Sequence, residues 1–97
     1  MQEFDITVTN SATAVASLTG GTNIPQASSY VAIENPSATA SIAFSVNGAT
    51  PIVNGLGITL GPLGSIVFDA PGGVAFPCGS LKFISSAASQ SATILVG

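Results

Sequence analysis

Ser41-Ile42-Ala43-Phe44-Ser45-Val46-Asn47-Gly48 is a run in which small residues alternate with large apolar ones and which ends on a turn dipeptide. Successive side chains of a strand point to opposite faces, so Ile42, Phe44 and Val46 are predicted to face a core. Ser41, Ala43 and Ser45 are then predicted to face outward. Asn-Gly supplies the positive φ angles of a type I′ hairpin, and the expected hairpin partner is Pro51-Ile52-Val53, with Pro51 marking a strand start or an edge.

The same period of two recurs on both sides of this run. Phe4, Ile6 and Val8 alternate with Asp5, Thr7 and Thr9 in a first strand. Thr13 to Thr19 carries Val15 and Leu18 out of phase, so either a bulge or an irregular segment is expected there. Gly20 to Pro25 reads as loop, and Tyr30 to Glu34 as a β-branched strand stopped by a turn at Asn35-Pro36. Ile58-Thr59-Leu60 and Ser65 to Asp69 are strands flanking a tight turn at Gly61-Pro62-Leu63-Gly64, and Asp69 to Gly73 is a further loop. Val74 to Phe76, Leu81 to Ile84 and Thr93 to Val96 complete the set. With 11 Gly and 6 Pro in 97 residues, a helical reading would be heavily penalised. About eight short antiparallel strands in a single all-β domain over residues 1–97 are predicted, as a β-sandwich, jelly roll or small barrel.

Composition narrows the chemistry. Only 5% of residues are charged against 46% apolar, with one Lys or Arg, four Asp or Glu, no His and a formal net charge of −3. A single cation, Lys82, leaves no basic surface for phosphate neutralisation, so no nucleic-acid partner is expected. Mean hydropathy is +0.65, yet Pro36, Asn47, Pro51, Asn54 and Pro62 interrupt the long uncharged stretch between Asn35 and Phe68, and no membrane partner is expected. Met1-Gln2-Glu3-Phe4-Asp5 lacks a basic segment followed by an apolar one, which predicts synthesis in the cytoplasm without export.

The remaining reactive groups are few. Cys78, alone and without a His to generate a thiolate, reads as a small buried apolar residue. Ser80 and Lys82, two apart, are predicted to share a strand face, with Lys82 a solvated charge. Glu3 and Asp5 likewise share a face, most simply as the charged side of an edge strand. Asp69 to Gly73 holds one carboxylate, too few for calcium. Gly55-Leu56-Gly57-Ile58-Thr59-Leu60-Gly61 departs from the dinucleotide fingerprint in its third Gly and in having no helix after it. A zinc site lacks its His and second Cys. No catalytic, cofactor or metal residues are predicted, and the chain is expected not to be an enzyme.

Three segments carry a resemblance: Tyr30-Val31-Ala32-Ile33-Glu34-Asn35-Pro36-Ser37, Gly57 to Ser65 around Gly61-Pro62-Leu63-Gly64, and Leu81-Lys82-Phe83-Ile84-Ser85-Ser86-Ala87-Ala88. Together they resemble the small β-rich virion proteins of tailed bacteriophages, over roughly Tyr30 to Gly97. Where such proteins often carry Arg before the first of these strands, Ser28 and Ser29 stand here. The resemblance implies a capsid decoration (cement) protein or a head or tail accessory protein that binds the major capsid protein or other virion proteins. It also implies a homo-oligomer, a trimer by analogy, resident in the virion after synthesis in the host cytoplasm. A carbohydrate- or receptor-binding module of a phage fibre is the alternative, with Tyr30 as the one candidate aromatic platform. An apolar share this high in so small a domain also argues for partner-covered surface. Two readings of residues 1–10 stand open: an ordinary first strand, or an arm that engages a partner through Phe4, Ile6 and Val8, with Glu3 and Asp5 as its solvated face.

Overall fold

The computed structural model describes residues 1–46, 48–70 and 74–97. Two four-stranded antiparallel sheets pack face to face as a β-sandwich. The strands are β1 (Gln2–Thr9), β2 (Thr13–Ala14), β3 (Tyr30–Glu34), β4 (Ile42–Ser45), β5 (Ile58–Leu60), β6 (Ser65–Asp69), β7 (Lys82–Ser85) and β8 (Ser89–Val96). One sheet has the order β1-β8-β3-β6 and the other β2-β7-β4-β5. The out-of-phase segment after Thr13 resolves into the two-residue β2 and a 3₁₀ turn, Val15–Ser17, which buries Val15.

Alternation places the core. Ile6 and Val8 of β1, Val31 and Ile33 of β3, Ile42 and Phe44 of β4, Phe83 of β7, and Ala92, Ile94 and Val96 of β8 meet between the sheets, joined by Val15, Leu18, Cys78 and Leu81 from the connections. Total accessible surface is 4749 Å², close to the roughly 5,000 Å² expected of a folded monomer of this mass. The high apolar content therefore does not produce an unusually extended surface; its consequence lies in where the leftover apolar side chains sit.

Several expectations are corrected. The partners of β4 are β5 and β7, with Phe44 opposite Ile58 on one side and Phe83 on the other; Ile52 and Val53 form no strand. Ile52 instead uses its backbone groups within the connection to β5, its N–H donating to Leu56 O at 2.9 Å and its carbonyl accepting from Gly55 N–H at 2.8 Å. The turn expected at Asn47-Gly48 involves Asn47, and the Asp69 to Gly73 loop involves residues 71–73; both lie partly outside the described residues. Ala43 and Ser45 point away from the core yet are buried. Both lie in a central strand, Ala43 between Thr59 and Ile84 and Ser45 beside Lys82, and the Ser45 hydroxyl donates to the Ala49 carbonyl. Val74 to Phe76 supplies a single bridge, Phe76 with Ser28, in which each backbone N–H donates to the other's carbonyl. Pro77 then removes the next donor.

Residues 1–10 resolve toward the first of their two readings. β1 pairs with β8 of the same chain over its whole length, from Gln2 opposite Val96 to Thr9 opposite Ser89. Ile6 and Val8 are 1% and 0% exposed within this chain's own core, so they present no face to a partner. β1 is an edge strand, and the segment that follows β2 folds back to cover that edge. Thr7 N–H donates to Thr19 O at 3.0 Å, and a Cβ on Gly20, which has a φ of +85°, would lie 2.0 Å from Asp5 O. Only glycine permits this approach.

Asn35 fastens the two sheets together. Its side chain is 1% exposed, and its Nδ2 donates to Ala40 O, Leu60 O and Gly61 O at 2.8, 3.2 and 3.0 Å. Oδ1 accepts from Ser37 N–H at 3.1 Å and Gln90 Nε2 at 3.3 Å, while the Asn35 backbone N–H donates to Gly64 O at 2.8 Å. Asn35→Ala is expected to lower stability by about 3 kcal/mol, because several buried backbone groups lose their partner at once. Asn35→Asp, which offers no donor to three carbonyls, is expected to lose more; urea unfolding at pH 7 measures both. Deletion of residues 1–9 is expected to abolish the cooperative thermal transition. Ile6 and Val8 alone account for about 3 to 6 kcal/mol of burial, a large part of what a domain this size possesses.

Candidate functional site

A concave feature lies at the end of the sandwich where β4 and β6 finish and β5 begins. It is a cavity of about 330 Å³ lined by Phe44, Phe68 and Phe76, by Val46, Leu56 and Ile58, and by Ser45, Ala49 and Gly57. Phe44 projects from β4 and Phe68 from β6, one from each sheet, and their rings meet edge to face at 6.3 Å. Phe76, set by its bridge to Ser28, stacks on Phe68 at 4.1 Å. Gly57, with a φ of +92°, approaches so closely that a Cβ would sit 2.5 Å from Phe44 O. Among these wall residues the one side-chain hydroxyl, that of Ser45, is already donated to Ala49 O, so their side chains offer dispersion and apolar contact. Leu56 and Ile58 on the rim are exposed, as are Ile52 and Val74.

The charges occupy a different surface. Glu3, Asp5, Glu34 and Asp69 all project from the outward face of the β1-β8-β3-β6 sheet and are all exposed. Thr93 Oγ1 donates to Asp5 Oδ1 at 3.2 Å, and Glu34 lies on the far side of Thr93 in register. Repulsion from Asp5, a hydrogen bond between the two carboxyls, and the more distant Glu34 push the Glu3 carboxyl above its ordinary value. Lys82 stands on the opposite sheet, outward, next to Ala14 and Ser45.

The other sequence candidates are placed as follows. Ser80 belongs to a 3₁₀ turn, Cys78–Ser80, and not to the strand of Lys82; its hydroxyl donates to Pro77 O at 2.9 Å. The predicted shared face of Ser80 and Lys82 is thus corrected. Cys78 is fully buried, its thiol donates to Pro25 O at 3.2 Å, and burial raises its pKa, which keeps the sulfur protonated. Tyr30, half-buried on the outward face opposite Asp69, packs beside Gly97. Phe4 is half-buried against the core. Among the described residues no group of three or more His, Cys, Asp or Glu side chains is arranged to hold a metal ion, and no helix is long and apolar enough to cross a membrane.

Fold and site together define a small antiparallel β-sandwich with an aromatic-walled apolar cavity at one end and its carboxylates gathered on one broad face. No protein-family model, curated protein or solved structure matches the chain. Sequence reading missed the cavity, because its wall is assembled from four separate segments. The signal within reach was the unusual exposure cost of Leu56 and Ile58 beside the turn glycines.

Glu3 provides a pH test of the acidic face. A carboxyl whose pKa is raised on folding holds its proton more tightly in the folded chain. Its contribution therefore favours folding below the ordinary carboxyl range and is lost as pH rises through the raised value. Glu3→Gln is expected to raise the melting temperature at pH 7, to leave it unchanged near pH 3, and to matter less in high salt; thermal unfolding at the two pH values measures this.

Proposed function

We propose that this chain is a structural, non-catalytic subunit of a virion that docks on an assembled phage shell and stabilises it, in the manner of a capsid decoration protein. The partner would be the major capsid protein or a neighbouring virion protein, and the chain would act as a homo-oligomer. The observation that carries the reading is the set of large apolar side chains left outside a fully formed core: Leu63 at 70%, Val74 at 64%, Ile52 and Leu56 at 56% and Val67 at 53% exposure. Single exposed apolar residues are ordinary, but several on one charge-poor sandwich, with Val67 on the outward face of β6 and the others in its connections, suit surface that a partner covers. Low charge supports the same reading, since little desolvation opposes dense contact with neighbours. The phage assignment itself rests on the Asn-Pro-Ser, Gly-Pro-Leu-Gly and Ile-Ser-Ser-Ala-Ala motifs described above.

The test is purification of intact phage particles encoding this sequence, followed by quantitative mass spectrometry. The chain is expected at a fixed copy ratio to the major shell subunit, and its removal is expected to make particles less resistant to heat. Absence from the particles, or only trace amounts that vary between preparations, would overturn the reading.

A further inference from the structure

The cavity has a counterpart on the same molecule. β5 runs from the cavity to the other end of the sandwich, where Gly61-Pro62-Leu63-Gly64 turns the chain into β6. Gly64 N–H donates to Gly61 O at 2.9 Å, closing a β-turn. With Pro at its second position and a φ of +62° at Leu63, this is a type II turn carrying leucine where glycine or asparagine is the relaxed choice. The leucine thus incurs backbone strain, and its side chain is 70% exposed, so it gains little packing within its own chain. Strain that packing does not offset is a reason to look for a role outside the chain.

The turn is also held rigidly. Leu63 N–H donates to Ser37 O at 2.9 Å, and Gly64 O accepts from Asn35 N–H at 2.8 Å, so the Pro62-Leu63 tip is presented without further ordering cost. At the opposite end stands a cavity of about 330 Å³ walled by Phe44, Phe68 and Phe76, whose one lining hydroxyl, on Ser45, is already bonded, with room for Pro62 and Leu63 together. Neither the tip nor the cavity lining carries a charged residue, and the neighbouring carboxylates, Glu34 beside Leu63 and Asp69 after Phe68, lie on the exposed outward face, so the apolar groups that meet desolvate no ion of their own.

We infer that the Pro62-Leu63 tip of one copy inserts into the Phe44-Phe68-Phe76 cavity of the next, so that copies of this chain associate head to tail. The available area sets the strength. The molecule measures 37 × 24 × 23 Å, and four strands side by side in two layers account for the two short dimensions. An end face therefore covers on the order of 500 Å² per copy, or about 1,000 Å² in total, the lower limit for a specific interface. Association is accordingly reversible and concentration-dependent. A contact between two different surfaces at opposite ends repeats from copy to copy instead of pairing off, giving a chain or a ring of many copies and not a compact trimer. This inference stands apart from shell binding: a chain found in particles but monomeric alone would remove it and leave docking on the shell in place.

The experiment is sedimentation velocity on three proteins up to about 1 mM, the range in which so small an interface is populated. The unaltered chain is expected to form species larger than a dimer as concentration rises. Leu63→Gly relieves the strained turn, so it is expected to fold at least as stably as the parent, by thermal unfolding, while sedimenting as a monomer. Leu56→Asp alters an exposed rim residue and is expected to be monomeric also. Mixed, the two are expected to recover one-to-one dimers that grow no further, since one supplies an intact cavity and the other an intact tip. A parent chain that stays monomeric, a Leu63→Gly protein that associates like the parent, or a mixture without dimers would each overturn the inference. So would an apolar small molecule such as naphthalene binding the cavity with no effect on the association.

Discussion

One amide side chain connects most of the structure's parts. Asn35 sits at the end of β3, inside one sheet, yet its donors reach the carbonyls that close β5 in the other sheet, and its acceptor reaches the connection before β4 and Gln90 of β8. A domain with few charges has few ways to fix how two sheets sit against each other, because apolar packing is non-directional. A buried and fully bonded amide provides direction. Its geometry fixes the crossing from β5 to β6, and that crossing in turn sets the position of Leu63 at one end and of Ile58 and Phe68 at the other.

Charge is distributed as unevenly as direction. With all four carboxylates on the outward face of one sheet and Lys82 on the other, the molecule has one negative broad face and one nearly neutral one, with Glu34 beside Leu63 at one end and Asp69 closing β6 at the other. The acidic face keeps the sandwich from stacking broad face to broad face with itself, since like charges brought into register repel.

Much of the fold was legible because alternation reports burial directly. Phe4-Asp5-Ile6-Thr7-Val8, Tyr30 to Glu34, Ile42 to Ser45 and Thr93 to Val96 all appear as strands with the anticipated apolar members inward. What alternation does not report is partnership. β4 passes over the nearby Ile52-Val53 to pair with β5 and β7, and the Asn-Gly dipeptide carried no information about that choice. Asn35 was readable as a turn residue but not as a buried one, since its partners come from four places in the sequence. The same holds for the cavity, whose three phenylalanines lie on β4, on β6 and at an isolated bridge.

The pairing of β1 with β8 bears on how the chain is made. Thr9 and Ser89 face each other across that ladder, so β1 leaves the ribosome about eighty residues ahead of its partner strand. At roughly 5–20 residues per second this is a wait on the order of 4 to 16 s, with Ile6 and Val8 in water and both strand edges open. The Thr19-Gly20 segment is translated immediately after β1 and can shield one of those edges long before β8 exists. The glycine that closes the finished sheet is thus placed where the nascent strand is most exposed to pairing with another chain.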